Sequence, residues 1–423
     1  MNGSMTVSSL TDRNLKFVKI RREFVSKKIP DIELRIIREL DRFRPCLKQG
    51  MNIAIAAGSR GITDHLIIIR LLIRFLENSG VKPFIIPAMG SHGGATAAGQ
   101  KEILEGYDIS EKTLGIPVRA GMDVVNISDD RNNPVYIDKI GWESDGIILI
   151  NRIKPHSDFR SKYESGLVKM AVIGLGNHHQ AQLIHGMGVE GLECYMPMAA
   201  KKIFESGKIL GGIAIVEDEY DQTMELRALL RDEIIDIEPG LLKLAKVNTP
   251  ALPLDEVDVL FVDRIGKDIS GVGMDPHVIG RLKIPGFPEP DKPRIRSVVA
   301  CDLTPASHGN AIGIGLADVI TQKLFNKIKL DVTYRNVYTS TFIERVKIPI
   351  IAENERNALE YALRNCGEVP KEKEIILRIR DTKHLDELWI SMPGLEKLGS
   401  KNNITILTEP VELLETDGNM IPF

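Results

Sequence analysis

Cysteine and aromatic residues are scarce in this sequence, and neither sign of charge is in excess. Four cysteines among 423 residues are too few and too widely spaced for a disulfide scaffold or a Cys-x-x-Cys zinc site. Aromatic residues make up 5% of the chain, and 55 lysines and arginines face 58 aspartates and glutamates, a formal net charge of -3. Nucleic-acid-binding proteins usually carry a basic excess and aromatic stacking surfaces, so this composition argues against nucleic acid as a partner.

The sequence also contains little that suggests a membrane or exported protein. Its most apolar helical stretch, Leu66–Leu76, is interrupted by Arg70 and Arg74, whereas a membrane-spanning helix needs about 18 or more consecutive apolar residues. The first residues contain no apolar signal core, which a secretory leader would need. We therefore expect a cytoplasmic protein with no membrane partner.

Apolar strand-like runs alternate with helical patterns along the chain, which is typical of an α/β fold. The predicted strands are Leu15–Ile20, Asn52–Ala57, Lys82–Pro87, Pro134–Ile137, Gly146–Ile150, Gly212–Val216, Val257–Val262, Ile295–Asp302, Ile375–Ile379, Leu385–Ile390 and Ile404–Thr408. The predicted helices are Pro30–Phe43, His65–Asn78 (capped by Thr63 or Asp64), one from Thr96 to Glu105, Leu316–Ile328 and Asn354–Asn365. Strands joined through helices are expected to be parallel.

A stretch with two prolines and no periodicity, Val247–Leu254, marks the expected domain boundary. The sequence thus predicts two α/β domains with largely parallel or mixed sheets, over residues 1–250 and 251–423. A cleft between two domains is the default place for a ligand. A family resemblance described below implies that the first domain binds a cofactor and that the second closes over a substrate.

Polar residues follow several predicted strands, where open α/β sheets bind their ligands. Ser59 and Arg60 lie in a glycine-bounded turn before a helix, and backbone N–H groups with a guanidinium suit a phosphate or carboxylate. His92 lies in a glycine-rich run after the next strand. Each also has a plain interpretation, since Arg60 could simply be solvent-exposed and His92 could bond its own loop. His65 has no such neighbours and is expected to be structural.

The densest group of reactive side chains lies between Asn151 and Gly188 and includes His156, Lys169 and His185. Lys169 interrupts an apolar stretch, where an ammonium is costly to bury. A partly buried lysine can act as a nucleophile or covalent anchor, although it can also extend its head to the surface. His185 could bind a metal, but zinc would need three or four protein ligands. Any metal must therefore take most of its ligands from something other than the protein.

Five segments in this region together resemble a known family. They are GSRGI ending at Ile62, AMGSHGG ending at Gly94, NRIKPH ending at His156, SGLVKM ending at Met170 and IHGMG ending at Gly188. In this order and spacing they resemble the lactate racemase family. The resemblance covers most of the first predicted domain and, more loosely, the second.

The resemblance implies a nickel-pincer nucleotide, a pyridinium mononucleotide with two sulfur donors that is joined to a lysine through a thioamide. The matching residues are Lys169 for the attachment, His185 for nickel, and Ser59 with Arg60 for the cofactor phosphate. The cofactor would supply three nickel ligands and the protein one. His156 matches a catalytic histidine of the family, and the enzymes that make the cofactor are expected partners.

One position departs from the family pattern. Met122 stands just before Asp123. By the resemblance, this is the position at which the lactate enzymes of the family have a second catalytic histidine. His92, His308 or Asp123 could replace it, or one base could serve with a rotating intermediate.

The substrate-binding glutamine and lysine of the lactate enzymes also have no clear match in this sequence. Arg152, Lys267 and Arg281 are candidates to bind the substrate carboxylate. We therefore expect a longer hydroxy acid or a sugar acid rather than lactate.

The resulting prediction is an isomerase, a racemase or epimerase that inverts C2 of a 2-hydroxy acid. His156 would remove the hydroxyl proton, and the cofactor would take the C2 hydride and return it to the other face of a transient 2-keto acid. A non-catalytic binding protein for an anionic metabolite, using Arg60, Arg152 and Lys169, stays an alternative. An ordinary metal-dependent hydrolase is disfavoured, because the sequence has no Asp/Glu/His cluster at ligand spacing.

Overall fold

The computed structural model describes residues 15–157, 159–340, 342–367, 369–370, 372–400 and 403–423. The described chain forms two compact units, one of Val25–Thr249 and one that combines residues 15–24 with Pro250–Phe423. These units differ from the predicted ranges 1–250 and 251–423 in the N-terminal segment. The first 14 residues of the predicted first domain lie outside the described residues, and the roles expected of the two domains stay predictions.

The strands are numbered in chain order. They are β1 Phe17–Arg22, β2 Asn52–Ala57, β3 Lys82–Pro87, β4 Val124–Asn126, β5 Tyr136–Asp138, β6 Gly146–Arg152, β7 Ile209–Glu217, β8 Thr223–Leu230, β9 Glu256–Val262, β10 Arg294–Ala300, β11 Val319–Thr321, β12 Ile350–Ala352, β13 Ile376–Ile379, β14 Glu387–Ser391 and β15 Ile404–Ile406.

The α-helices are numbered in the same way. They are α1 Ile32–Leu40, α2 His65–Asn78, α3 Ala97–Glu105, α4 Glu111–Leu114, α5 Lys139–Glu143, α6 Leu167–Lys169, α7 Asn177–Gly186, α8 Gly188–Glu190, α9 Met196–Glu205, α10 Arg231–Val247, α11 Pro276–Ile279, α12 Gln322–Phe325, α13 Leu330–Ser340, α14 Glu355–Asn365 and α15 Met392–Leu398. Two π-helical turns, Met170–Gly174 and Gly191–Tyr195, and short 3₁₀ turns lie between them.

Among the described residues, the unit of Val25–Thr249 contains a five-stranded sheet in the order β3-β2-β6-β7-β8. Its first four strands are parallel, and β8 is antiparallel to β7. A separate antiparallel pair joins β4 to β5. We refer to this unit as the five-stranded unit.

The other unit contains an eight-stranded sheet, counted over the described residues, in the order β12-β11-β10-β9-β13-β14-β1-β15. The strands from β12 to β13 are parallel, whereas β1 is antiparallel to both β14 and β15. We refer to it as the eight-stranded unit. The first strand of the chain therefore belongs to the sheet built mainly from the C-terminal half, which its own sequence does not reveal.

Helix α2 illustrates how the five-stranded unit forms its core. Its apolar residues recur at helical spacing and bury Ile68, Leu72 and Leu76 against the sheet, while Arg70 and Arg74, four residues apart, both lie on the exposed face. The residue before the helix is Asp64, as predicted, but its side chain makes no capping hydrogen bond and its φ is 61°.

The α/β prediction is confirmed, and strands β2 and β3 and helix α2 have the predicted bounds. The predicted helix Leu316–Ile328 is wrong, because the segment contains strand β11 between a 3₁₀ turn and the four-residue helix α12. The pairing of β11 with β10 and β12 outweighs the local apolar pattern, which is ambiguous in so short a run. No helix in the described ranges is long and apolar enough to cross a membrane.

Candidate functional site

The order of strands in the five-stranded unit creates a topological switch point between β2 and β6. The chain passes from β2 to β3 on one side of β2 and later returns to β6 on the other side. Loops that leave two parallel strands in opposite directions open a crevice at their carboxyl ends, where α/β proteins bind ligands. The segments after β2 and β6 carry Ser59, Arg60 and His156, so sequence and topology point to the same edge.

The turn after β2 lies close to both the end of β6 and the segment that carries Lys169. Gly58 is buried, and a Cβ at its position would come 3.3 Å from Met170 Cε and 3.8 Å from Asn151 Oδ1. Ser59 is half-buried and Arg60 is exposed. The turn therefore has little room for a side chain on its inner side, which suits backbone that approaches a ligand.

His92 is connected to the same turn. Its Nδ1 shares a hydrogen bond with Ser59 Oγ, so its ring reaches the neighbouring loop after β2. His92 is exposed, and Gly93 and Gly94 after it both have positive φ. The structure thus brings two of the predicted site residues, Ser59 and His92, into direct contact.

Arg152, the last residue of β6, forms an ion pair with Glu217 at the end of β7. The other oxygen of that carboxylate accepts the backbone N–H of Thr63 at 2.8 Å. Glu217 thereby links the ends of β6 and β7 to the loop after β2. A substrate carboxylate bound by Arg152 would share the guanidinium with Glu217.

His156 lies in a loop closed at its base by two backbone hydrogen bonds between Lys154 and Ser165, of 2.9 and 3.2 Å. Its backbone N–H donates to Glu164 Oε2 at 2.8 Å, and the same fully buried carboxylate pairs with Lys246 Nζ at 2.6 Å. The imidazole packs on the Phe159 ring with a centroid distance of 4.5 Å. These contacts fix the position of a half-buried catalytic candidate.

The side chains of His156 and Lys169 meet directly, through a hydrogen bond between Nε2 and Nζ. Both residues are half-buried. An ammonium and an imidazolium are both donors only, so the bond exists only when the pair holds at most one positive charge. A nitrogen lone pair is therefore always present in this contact, and the pair can pass a proton between its members.

Lys169 ends helix α6 and is followed by the buried π-helical turn Met170–Gly174. Gly174 accepts the N–H of Gly90, in the loop after β3, at 3.1 Å, and a Cβ at Gly174 would come 2.7 Å from the carbonyl oxygen of Ala88. Such π turns are rare and occur frequently at functional sites. The turn packs the lysine segment against the loop that leads to His92.

His185 lies in the last turn of α7, the helix that follows this π turn, and it is half-buried. The described residues contain no group of three or more His, Cys, Asp or Glu side chains placed to hold a metal ion. An imidazole is a suitable donor for nickel. His185 therefore offers a single imidazole donor at this place.

Met122 lies beside the start of α7. The amide of the fully buried Asn177 donates to the carbonyl of Gly121 at 3.3 Å and to Asp138 Oδ2 at 2.9 Å. Burial raises the pKa of that Asp138 carboxyl. The side chain of Asp123 is 84% exposed and lies 3.9 Å from Lys139 Nζ. The segment of the missing histidine is thus attached to the helix that carries His185.

Three predicted site residues belong to the eight-stranded unit. Lys267 Nζ donates to the carbonyl of Gly271 at 2.7 Å and to Asn336 Oδ1 at 3.0 Å. Arg281 pairs with Asp318 at 2.5 Å and donates to three backbone carbonyls, and His308 is exposed with a φ of 50°. Arg281 thus already bonds protein acceptors, whereas the substrate roles predicted for these residues stay predictions.

Sequence reasoning gave no role to four polar residues that organise the site: Asn151, Glu164, Glu217 and Glu238. Asn151 was visible as the residue after the apolar run of β6. Glu217 and Glu238 gave no local signal, because each accepts an N–H group from a segment distant in the chain. Glu164 lies only eight residues from His156, whose backbone N–H it accepts, but a backbone contact of this kind leaves no pattern in the sequence. Glu238, for example, accepts the N–H of Val168, 70 residues away.

Comparison with known families decides which group this region resembles. Residues 15–192 match the family model described as the lactate racemase N-terminal domain. These residues are therefore similar to the lactate racemase N-terminal domain. The resemblance predicted from the five segments is thereby confirmed.

A solved structure extends the likeness to the lactate racemase fold over most of the chain. The lactate racemase apoprotein from Thermoanaerobacterium thermosaccharolyticum superposes with a TM-score of 0.53 at 12% sequence identity, covering 86% of this chain and 98% of that one. We take the fold alone from a likeness at this identity. No curated protein matches the chain in the sequence comparison. The domain match and the fold together support a racemase or epimerase family.

Proposed function

We propose that the protein is a racemase or epimerase that inverts C2 of a 2-hydroxy acid with the help of a nickel-pincer nucleotide. The contact between His156 and Lys169 carries the proposal. It joins the residue matched to the cofactor anchor and the residue matched to the catalytic base, which are 13 positions apart. The lactate racemase N-terminal domain match over residues 15–192 supports the reaction class.

The residues of the five-stranded unit fit such a cofactor. Lys169 offers an amine for a covalent bond, His185 offers one nitrogen to a metal, and the turn with Ser59 and Arg60 offers backbone N–H groups and a guanidinium to a phosphate. When bound, the cofactor supplies hydride acceptance from C2 and hydride return. Production together with the cofactor's biosynthetic enzymes is then required for a loaded protein.

The protein's own part is to move a proton and orient the substrate. His156 takes the proton of the C2 hydroxyl and gives it back after inversion, because its imidazole can hold a proton reversibly near neutral pH. Its ring is held by the Phe159 contact and its backbone by Glu164. A cation such as Arg152, Lys267 or Arg281 binds the substrate carboxylate.

Met122 stands where the lactate enzymes have a second histidine base, so the second face of the substrate needs another arrangement. A thioether cannot take a proton at the second face of the substrate, so His156 serves both faces or His92, His308 or Asp123 replaces the missing histidine. The substrate we propose is a longer hydroxy acid or a sugar acid rather than lactate. Epimerisation is the outcome where the substrate has other stereocentres.

Intact-mass analysis tests the attachment. We expect the wild-type protein, produced with the cofactor's biosynthetic enzymes, to carry an added mass that Lys169→Ala loses completely. Lys162→Ala, which removes an exposed lysine seven residues away, is the matched control and should retain the mass. Retention of the mass in Lys169→Ala would exclude this attachment.

A substrate screen tests the reaction. The loaded protein should convert one enantiomer of a 2-hydroxy acid or aldonic acid with inversion and retention of deuterium at C2. A loaded protein that binds these acids but inverts none of them would instead be a binding protein for an anionic metabolite.

A further inference from the structure

The backbone around Lys169 is held from a helix that is distant in the chain. Helix α10 carries Glu238, which is fully buried, and Oε2 of its carboxylate accepts the N–H of Val168 at 3.0 Å. The backbone N–H of Leu167 also acts on this carboxylate and lowers its pKa. Helix N-termini normally receive such a cap from a nearby Ser, Thr, Asp or Asn, whereas here the acceptor comes from 70 residues away.

Gly166 shows how closely the carboxylate approaches. A Cβ at this position would lie 2.4 Å from Glu238 Oε1 and 2.6 Å from its Cδ. The φ of Gly166 is 178°, which is extended backbone open to any residue, so space rather than conformation requires the glycine. The carboxylate thus lies directly against the residue before α6.

The opposite side of the same segment is held by Asn151. Its amide donates to the carbonyl oxygen of Gly166 at 2.8 Å. The two side chains therefore bond the segment Gly166–Lys169 through complementary groups, Glu238 through the N–H groups and Asn151 through the carbonyl. We call this arrangement the lysine clamp, meaning Asn151 and Glu238 acting on Gly166–Lys169.

Burying a carboxylate is unfavourable unless it is well bonded. Burial raises the pKa of Glu238 to about 7, while the N–H groups of Val168 and Leu167 oppose that rise. An apolar side chain would be less costly to bury at this place in the core. We therefore attribute the presence of the Glu238 carboxyl group to the hydrogen bonds that it accepts. Those bonds end one residue before Lys169, whose amine meets His156.

We propose that Glu238 and Asn151 are positioning residues that hold the backbone of Gly166–Lys169 so that the Lys169 amine meets His156 and stays reactive. The role that we give to the reactive amine rests on the proposed function, in which Lys169 anchors the cofactor. The clamp itself is a property of the protein without cofactor and can be measured there.

The test is the acylation rate of Lys169 in the full chain produced without cofactor. The protein is treated with a small water-soluble acetylating ester, and acetylation of each lysine is followed by peptide mass spectrometry. We expect Glu238→Ala to acetylate Lys169 about tenfold more slowly than wild type, the effect of losing a hydrogen bond to a charged group. The rates at exposed lysines such as Lys162 should not change.

Variants separate positioning from loss of stability. Leu241→Ala removes another buried side chain of α10 without touching the clamp, so it should leave the Lys169 rate unchanged even where it lowers stability. Glu238→Gln keeps an acceptor oxygen and should restore most of the rate. Asn151→Ala should slow the reaction in the same direction by a smaller factor, and it carries the test where Glu238→Ala does not fold.

Equal rates in Glu238→Ala and Leu241→Ala would overturn the proposal, as would an unchanged Lys169 rate in Asn151→Ala. Failure of the proposed function has a different signature. In that case no added mass appears on Lys169 in protein produced with the biosynthetic enzymes, while the acetylation rate still depends on Glu238.

Discussion

The two sheets differ in the side chains that follow their parallel strands. Beside the five-stranded sheet, an imidazole meets an amine, His156 with Lys169, and a hydroxyl meets an imidazole, Ser59 with His92. One arginine–carboxylate pair, Arg152 with Glu217, accompanies them. In the eight-stranded unit, arginines meet carboxylates. Its pairs are Arg378 with Asp263, Arg264 with Asp381, and Arg281 with Asp318.

These pairings have different consequences. A guanidinium and a carboxylate form parallel, geometrically specific hydrogen bonds, so such pairs fix loops and strands in place. An amine and an imidazole in contact share one proton between two basic nitrogens, which suits proton transfer and acylation. The comparison therefore predicts that changes in the first set alter chemistry and changes in the second alter stability.

The largest effect is expected for His156→Gln in the loaded enzyme. Removal of a general base should lower kcat by about 10²–10⁴-fold, with the stability of the fold retained. Initial rates with the inverted hydroxy acid measure this, and His178→Gln, at an exposed histidine of the same unit, serves as the control. An unchanged kcat would assign the proton transfer to another group.

Next in size is Arg378→Met in the eight-stranded unit. Only 6% of the Arg378 side chain is exposed, and burial already raises the pKa of its partner Asp263. Leaving that carboxylate unpaired should lower the free energy of unfolding by about 3–5 kcal/mol, as measured by urea denaturation.

The matched control is Lys397→Met, which breaks the exposed pair with Glu256 and should lower the free energy of unfolding far less, because solvent screens this pair. Similar losses in both variants would show that burial does not separate the two pairs.

A pH-dependent effect of intermediate size is expected at Glu238. Its pKa is raised from 4.5 to about 7 by burial, so the folded state holds the proton more tightly than the unfolded state. Its favourable contribution is complete below pH 4.5 and disappears as the pH rises through 7, a change of about 3 kcal/mol.

Glu238→Gln should remove this dependence of the free energy of unfolding on pH. Urea unfolding curves recorded between pH 5 and pH 8 measure it. Glu205→Gln, at an exposed carboxylate of the same unit, should leave the dependence in place. Parallel profiles for wild type and Glu238→Gln would locate the titrating group elsewhere.

The smallest effect is expected at His65, where the free energy of unfolding should fall as the pH falls, the reverse of the dependence expected at Glu238. Burial lowers the pKa of His65 from 6.5 to about 4, so the unfolded state takes up the proton first. Stability is complete above pH 6.5 and is lost as the pH falls toward 4, by about 2 kcal/mol at pH 5.

His65→Leu should flatten the fall in the free energy of unfolding at acid pH, because neither ring nitrogen has a hydrogen-bond partner among the described residues. Thermal unfolding at pH 5 and pH 7 measures it. A fall that persists in the variant would mean that other groups drive the loss.

Part of the five-stranded sheet could be predicted from the sequence, because β2 and β3 are short apolar runs that end at glycine or proline. The runs of β2 and β3 have the predicted bounds. Strand β8 and helix α10 were not predicted, since β8 has mixed polarity and α10 contains Pro239. Both exist because they bury side chains against neighbours that local periodicity does not identify.

Some residues of the candidate site could also be predicted from the sequence, and others could not. Lys169 could be found because a lysine within an apolar stretch is unusual, and His156 because it follows the apolar run of β6. Glu238 could not be found, because a glutamate in a helical segment ordinarily faces solvent. The substrate roles predicted for Lys267 and Arg281 stay predictions, and their hydrogen-bond partners are visible only in the folded chain.

The sequence by itself determined the α/β fold, the order of the reactive residues and the likeness to lactate racemases, because these depend on residue type and spacing. Only the tertiary structure decided that His156 contacts Lys169, that Glu238 lies beneath Gly166, and that β1 pairs with β14 and β15. The physical reason is that a hydrogen bond or a strand pair depends on distance in space. Residues 13, 70 or several hundred positions apart become neighbours only when the core forms.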